Sequence, residues 1–185
     1  WSLPATKNCK LILKVDFDDK HMNTTLTIAN TGTSAFDFQT LLHTYYNVTG
    51  KAALQADQCF VEGLKGYTVI DKVTRDPPRI SDEAIISIVG EVDRVYEPPA
   101  EQPVVNVTIG VGGNQKLTME AKGTVDKNIV PVACVVWNPY VETAKGMSDF
   151  GDDEYTSMLC VEPGILRNAT LEPGKTAVLS QTIRF

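Results

Sequence analysis

Two titratable side chains stand out as a candidate acid and base. His43 is one of only two histidines, and it falls on the more polar face of a predicted strand, beside Gln39 and Tyr45. Glu162 follows a hydrophobic run, at a position where the apolar pattern predicts another Val or Leu. An imidazole and a carboxylate can together deliver one proton and remove another at neutral pH. From the pattern alone, a structural histidine and an exposed carboxylate at a strand end are the more common interpretations.

The sequence lacks the patterns of several other chemistries. It contains no Gly-x-Ser-x-Gly motif for a serine nucleophile. The glycines between Gly110 and Gly113 precede a predicted strand, whereas a phosphate-binding loop leads into a helix. No two cysteines have Cys-x-x-Cys spacing, so we expect no metal site. Cys134 and Cys160 fall in apolar runs, where a free thiol behaves as a small hydrophobic group.

The segment from Val135 to Glu162 must position the candidate base. Asn138 followed by Pro139 predicts the start of a short helix over 140–145, because Asn caps helix N-termini and Pro fits the first helical position. Gly146 is expected to end this helix. A strand over 157–161 would then deliver Glu162, and 164–168 would form a short link.

An acidic loop lies between this helix and this strand. Around Phe150 and Gly151, the loop carries four carboxylates: Asp149, Asp152, Asp153 and Glu154. A run of this kind is usually a solvated loop. The aromatic ring and the glycine also fit a loop that lines a pocket for hydroxyl-rich ligands, so both interpretations stay open.

Two nearby residues have plain structural interpretations. Asp93 is followed directly by Arg94, and the two could form a surface ion pair of little energetic value. Trp137 fits a core position, although its indole N–H would still need an acceptor there.

Patterns of period two dominate the rest of the chain and predict an all-β fold. The predicted strands are 11–17, 22–28, 36–48, 67–73, 84–89, 91–96, 104–111, 116–121, 132–136, 157–161 and 176–185. Turns are expected at 18–20 and 112–114, and 50–66 is expected to be a loop with a short helical turn at most. About ten short strands without alternating helices predict an antiparallel β-sandwich.

Composition excludes two classes of partner. The 185 residues are enough for one domain with a core, and the net charge of −6 argues against binding to nucleic acid. No apolar run is long enough to span a bilayer, and no signal peptide is visible. Four Asn-x-Thr sequons occur, at Asn23, Asn47, Asn106 and Asn168. In a Thr-rich β sequence we favour chance occurrence, although glycans on the protein, or two disulfides among the four cysteines, would indicate a secreted domain.

Five motifs occur in the same order as in a known enzyme family and extend over most of the chain. They are FQTLLHTYY at 38–46, GEVDRVY at 90–96, VWNP at 136–139, DFGDDEY at 149–155 and CVE at 160–162. Together they resemble the glucose-6-phosphate 1-epimerase, or hexose-6-phosphate mutarotase, family of the galactose mutarotase-like (aldose 1-epimerase) superfamily. The resemblance implies an antiparallel β-supersandwich. Residues 1–185 would form one N-terminally shortened domain, the C-terminal portion of the full family domain.

The resemblance also implies a chemistry, the interconversion of α and β anomers of glucose 6-phosphate. His43 falls at the position of the family's general acid, Glu162 at that of its general base, and Asp93 at that of a ligand for sugar hydroxyls. No metal or organic cofactor is implied. The expected partner is a small hexose 6-phosphate, without nucleic acid or membrane, and we expect a monomer in the cytoplasm.

One departure from the family pattern keeps alternatives open. Family members are longer at the N-terminus, and that region supplies the arginines that hold the substrate phosphate by charge-assisted bonds. None of Arg75, Arg79 and Arg94 stands in the motif that carries these phosphate-binding arginines in the family. The alternatives are a non-catalytic carbohydrate-binding β-sandwich derived from this family and, more remotely, a secreted glycosylated β-domain.

Overall fold

The computed structural model describes residues 7–49, 55 and 57–185, and these residues form two antiparallel β-sheets with one short helix. The strands are β1 Cys9–Phe17, β2 His21–Asn30, β3 Phe36–Leu41, β4 Tyr45–Asn47, β5 Cys59–Glu62, β6 Thr68–Asp71, β7 Arg79–Ile80, β8 Ile85–Ser87, β9 Val92–Glu97, β10 Val105–Val111, β11 Lys116–Val125, β12 Asn128–Val130, β13 Ala133–Asn138, β14 Met158–Leu171 and β15 Thr176–Arg184. The helix α1 spans Tyr140–Lys145, and a 3-10 turn spans Glu154–Ser157.

Each sheet has a simple strand order. The first sheet runs β1-β2-β15-β11-β10-β5-β8, with β12 paired to β11. The second sheet runs β3-β14-β13-β9-β6-β7, with β4 paired to β14. The expected antiparallel sandwich is therefore confirmed, as are the hairpin of β1 with β2 and that of β10 with β11. Among the described residues, no helix is long and apolar enough to cross a membrane.

The core lies between the two sheets, and this arrangement decides which side chains are left for chemistry. Val107 and Ile109 of the first sheet belong to the same buried cluster as Val136 and Val161 of the second. Successive side chains of a strand point to opposite faces. The neighbours of these valines along β13 and β14, among them Glu162, therefore point to the outer face of the second sheet.

The strand predicted over 36–48 is wrong, because it is interrupted at residues 42–44. β3 ends before Leu42 and β4 begins after Thr44, which places His43 in the gap and not on a strand. The gap is still held to β14. The amide of Leu42 donates to the carbonyl of Pro163 at 3.0 Å, and the amide of Val161 donates to the carbonyl of Thr44 at 3.3 Å.

The strand end predicted at Glu162 is also wrong, because β14 continues through Pro163 and Gly164, and its register with β3 shifts only between Ile165 and Ala169. Proline normally ends a strand because it lacks an N–H donor. In a strand, the N–H and C=O of one residue point to the same side. The carbonyl of Pro163 points to Leu42, in the gap between β3 and β4. The nitrogen of Pro163, which carries no hydrogen, therefore faces the same gap, where no hydrogen bond of the sheet is lost.

The prediction of a loop over 50–66 is partly wrong. β5 lies within this range, and its first three residues, from Cys59 to Val61, are all buried. Because it is covered on both faces, β5 shows no alternating pattern, which explains why the period-two search missed it. Residues 50–54 and 56 lie outside the described residues, and with them lies the possible helical turn.

Two features of the remaining chain bear on the sequence predictions. β1 forms one border of the first sheet, and the apolar side chains that alternate along it are exposed, with Phe17 exposed to 80%. The alternation thus predicted the strand correctly, although all of its residues after Cys9 are exposed. All four cysteines lie within the described residues and are free thiols, so the structure offers no disulfide in support of a secreted domain.

The predicted helix is confirmed, and Asn138 ties it to the sheet. Its Oδ1 accepts the amide proton of Tyr140 at 2.9 Å, although Pro139 occupies the cap position that we expected for Asn138. The Asn138 side chain is fully buried, and its Nδ2 donates to the carbonyls of Tyr155 and Met158, both at 2.9 Å. One amide group therefore joins α1, the 3-10 turn and β14.

We expect Asn138→Ala to lower the free energy of unfolding by roughly 3 kcal/mol, because it removes two buried hydrogen bonds, to the carbonyls of Tyr155 and Met158, and a half-buried one from the amide of Tyr140. Urea unfolding followed by circular dichroism would measure this loss. Asn128→Ala is the matched control, since its exposed amide makes one 3.3 Å bond, and it should change stability by less than about 0.5 kcal/mol. Equal effects of the two substitutions would contradict this account.

Candidate active site

The candidate acid and base meet on the outer face of the second sheet, where β14 passes the gap between β3 and β4. Glu162 is buried, with 4% of its surface exposed. Its Oε1 lies 3.2 Å from Nδ1 of His43, whose side chain is 52% exposed. The structure thus brings together two residues that are far apart in sequence, one shielded from water and one open to it.

Burial changes the proton affinity of Glu162. The pKa of this carboxyl is raised to about 7, and burial is the largest cause. The negative charge of Asp93 raises the pKa further. The contact with Cys160 and the positive charge of Lys72 lower it and so oppose the rise. A positive charge on His43 would favour the carboxylate, so protonation of the imidazole and ionisation of Glu162 support each other. The carboxyl can therefore both accept and release a proton near neutral pH.

Cys160 lies beside the pair formed by His43 and Glu162, although its sequence context indicated only a buried hydrophobic residue. It is two residues before Glu162 and on the same face of β14, and its Sγ lies 3.8 Å from Nδ1 of His43. Burial raises the pKa of the Cys160 thiol, and the nearby Glu162 carboxylate raises it further. Cys160 is thus a neutral thiol. Its spacing from Glu162 was visible in the sequence, but its contact with His43 was not.

Asp93 also lies in this site, on β9, where it is paired in register with Trp137. Its Oδ1 is 3.4 Å from Nζ of Lys72, a residue that the sequence did not single out. With His43 and Glu162 these residues line an open cavity of about 190 Å³. All three predicted site residues therefore lie around one cavity, and Lys72 adds a positive charge to it.

The ion pair between Asp93 and Arg94 that the sequence suggested is not formed. Adjacent strand residues point to opposite faces, and Arg94 points away from the cavity. Its guanidinium binds Asp71, with Nε at 2.7 Å, and Glu83, with Nη1 at 3.2 Å. Asp93 is therefore left facing the cavity.

Aromatic rings form one wall of the site. His43 stacks on Tyr45 with ring centroids 5.0 Å apart, and Trp137 meets both His43 and Phe150 edge-on at 6.2 and 6.4 Å. Trp137 is half-buried on the outer face, so its predicted core position is wrong. Since residues of the inner and outer faces alternate along β13, the indole points away from the core.

The acidic loop partly fits the pocket interpretation. Asp149, Phe150 and Glu154 line a hollow of about 430 Å³ that is also lined by Tyr45, whose ring stacks on His43. Asp152 and Asp153 are exposed and do not line it. The loop is therefore solvated on one side and lines this neighbouring hollow on the other.

Comparison with known proteins agrees with this architecture. The sequence model of the family described as aldose 1-epimerase matches residues 8–184. A protein of Cenchrus ciliaris named "Putative glucose-6-phosphate 1-epimerase" is 33% identical over 158 residues, which cover 83% of this chain and 43% of that protein. The protein of the same name from Escherichia coli K12 is 30% identical over 155 residues, or 80% of this chain and 46% of that protein. The chain thus spans less than half the length of these relatives.

Solved structures share the fold. A "putative mutarotase" from Salmonella typhimurium matches with a TM-score of 0.63 and 23% identity, over 94% of this chain and 63% of that one. A galactose mutarotase related enzyme from Lactobacillus acidophilus matches with a TM-score of 0.67 and 10% identity, over 96% of this chain and 61% of that one. The β-supersandwich expected from the sequence motifs is therefore confirmed.

The raised pKa of Glu162 predicts a specific dependence of stability on pH. Between the ordinary value of 4.5 and about 7, the folded protein holds a proton at Glu162 that the unfolded chain has released. Stability therefore falls as pH rises through this window, and the loss persists above it. A shift of this size corresponds to roughly 3 kcal/mol at most.

We expect Glu162→Gln to be more stable than the wild type at pH 8 and to lose most of this advantage at pH 4.5, as measured by thermal unfolding across the range. Glu142→Gln is the control, because the Glu142 side chain is 84% exposed and should show no such trend. A constant difference between wild type and Glu162→Gln at every pH would rule out the shift.

Proposed function

The chain belongs to the aldose 1-epimerase family, and from this we propose that it interconverts the α and β anomers of a hexose 6-phosphate, with glucose 6-phosphate as the substrate. The observation that supports this most directly is the pair formed by Glu162 and His43. A buried carboxyl with a pKa of about 7 lies 3.2 Å from an accessible imidazole. Anomerisation needs one proton removed and one delivered, and these two groups can do both.

In the proposed reaction, Glu162 is the base and His43 the acid. The Glu162 carboxylate removes the proton of the C1 hydroxyl as protonated His43 gives its proton to the ring oxygen. The bond between C1 and the ring oxygen breaks, which leaves an aldehyde at C1 and a hydroxyl at C5. C1 then rotates about its bond to C2. The C5 hydroxyl attacks the other face of the aldehyde, and both protons return to the groups that supplied them.

The neighbouring residues would hold the sugar. Asp93 faces the cavity and can accept hydrogen bonds from sugar hydroxyls, while Lys72 can donate to the sugar oxygens. The rings of Trp137 and Tyr45 offer apolar faces for the C–H groups of a pyranose. Held in this way, the anomeric centre would lie near both proton-transfer groups.

Phosphorylation of the substrate is supported by the names of the two curated relatives. Among the residues that the structure places around the cavity, Lys72 is the one lysine or arginine, and it can contribute to anion binding. Arg94 is engaged by Asp71 and Glu83 on the other face, so it is not offered for a phosphate group.

The assay for this proposal follows the equilibration of pure α-glucose 6-phosphate by polarimetry or NMR, beside free glucose and galactose. We expect acceleration of the phosphorylated sugar, and a loss of about 100- to 10,000-fold in His43→Ala and in Glu162→Gln. His21→Ala is a matched control, because His21 is paired with Asp18 in a surface turn. Unchanged rates in both site variants would refute the assignment of acid and base.

The substrates and a binding measurement separate the alternatives. Acceleration of free sugars to the same extent would indicate a mutarotase without a phosphate requirement. A folded chain that binds hexoses without accelerating anomerisation would instead be a carbohydrate-binding module.

The rate should also depend on pH through Glu162. We expect kcat/KM to fall as pH drops through about 7, because protonation removes the base. Lys72→Met should move this fall to higher pH, since the lysine charge lowers the pKa of Glu162. A pH–rate profile of the two proteins would show the displacement. A shift of the fall to lower pH would contradict the electrostatic account.

A further inference from the structure

Three donor atoms of different chemistry converge at the candidate site. Nδ1 of His43, Sγ of Cys160 and a carboxylate oxygen of Glu162 all lie within 4.8 Å of one another. Each is a type of atom that binds transition metals, and a set of nitrogen, sulfur and oxygen donors suits Zn²⁺ better than Mg²⁺ or Ca²⁺. The proton-transfer chemistry proposed above uses the imidazole and the carboxylate but gives the thiol no part.

The spacing of the three atoms fits a tetrahedral ion. With the usual bonds of about 2.3 Å to sulfur and about 2.0–2.2 Å to nitrogen and oxygen, tetrahedral angles place nitrogen and oxygen about 3.4 Å apart and sulfur and nitrogen about 3.6 Å apart. The structure has 3.2 Å between His43 and Glu162, and 3.8 Å between His43 and Cys160. These two distances are within a few tenths of an ångström of the tetrahedral values, and the third, between Cys160 and Glu162, is no more than 4.8 Å.

The surroundings keep these donors in place. Cys160 and Glu162 are two residues apart on one strand, so the backbone of β14 fixes both on one face. His43 is stacked on Tyr45 at 5.0 Å, which orients its ring toward them. Because His43 is half exposed, solvent can reach the fourth coordination position.

We propose that His43, Cys160 and Glu162 form a binding site for Zn²⁺, and that occupation of this site blocks the acid and the base. As the zinc–sulfur bond forms, the thiol proton passes to solvent. The ion would occupy a lone pair of Glu162 and Nδ1 of His43, so these two atoms could no longer exchange protons with the substrate. The inhibitory consequence depends on the proposed function, whereas the binding does not.

Binding is tested directly on the purified chain. Competition with a chromophoric zinc chelator should show one site per chain, and Co²⁺ should produce a thiolate-to-cobalt charge-transfer band in the near ultraviolet. Cys160→Ala should remove this band and weaken zinc binding by more than the 10- to 100-fold that loss of a supporting contact typically causes. Circular dichroism and thermal unfolding would verify that the variant is folded.

Two control variants address binding elsewhere on the surface. Cys9→Ser removes a partly exposed thiol, and His21→Ala removes an imidazole that lies 3.0 Å from a carboxylate of Asp18. Both should keep the band and the full affinity for zinc. If either of these substitutions removes the band, the metal is bound outside the proposed site, and the proposal is overturned.

The wild-type chain alone gives a second test that needs no variant. Absence of the cobalt–thiolate band overturns the proposal, whatever the activity of the chain. A chain that binds zinc but does not accelerate anomerisation even when a chelator keeps it free of metal would support the metal site and refute the proposed enzyme. If the chain is active, micromolar Zn²⁺ should inhibit it and a chelator should restore it, while the residual activity of Cys160→Ala should resist zinc.

Discussion

A carboxylate buried within a β-strand is the feature on which the candidate site depends. Removing an ionised group from water is unfavourable, so a buried carboxyl either holds its proton or finds a partner that compensates its charge. Glu162 has both options, because a protonatable imidazole lies beside it and its pKa is raised to about 7. The energetic cost of burying the group is thus linked directly to its use as an exchangeable proton site.

The sandwich supplies a partner for the buried carboxyl through the position of β14. This strand lies between β13 on one side and the interrupted pair β3 and β4 on the other. The gap between those two strands lets a histidine approach the strand from its edge. Pro163 fits opposite the gap because it has no N–H to leave unpaired. The interruption between β3 and β4 and the proline in β14 are each unfavourable in a regular sheet, but they are compatible when they lie opposite each other. Together they leave the space in which His43 contacts Glu162.

Much of the fold could be predicted from alternation and turn chemistry, because the long hairpins have one consistent face and clear turns. The prediction was wrong where strands are covered on both faces, as in β5, and where proline and glycine are accommodated by a neighbouring gap, as in β14. Local rules describe one strand at a time, whereas these features arise from pairing between distant strands. The same reason explains the incorrect core position of Trp137 and the missed partner of Arg94.

Family motifs identified His43, Glu162 and Asp93, and the structure places them around one cavity. Cys160 was visible within a motif, but only the fold shows it beside His43, more than one hundred residues away in the chain. The aromatic wall of this cavity also affects the fluorescence of the protein. Trp137 is one of two tryptophans, and its indole meets His43 edge-on. Since a charged imidazole quenches indole fluorescence at short range, the emission of Trp137 gives the site an intrinsic reporter of its own protonation and occupancy.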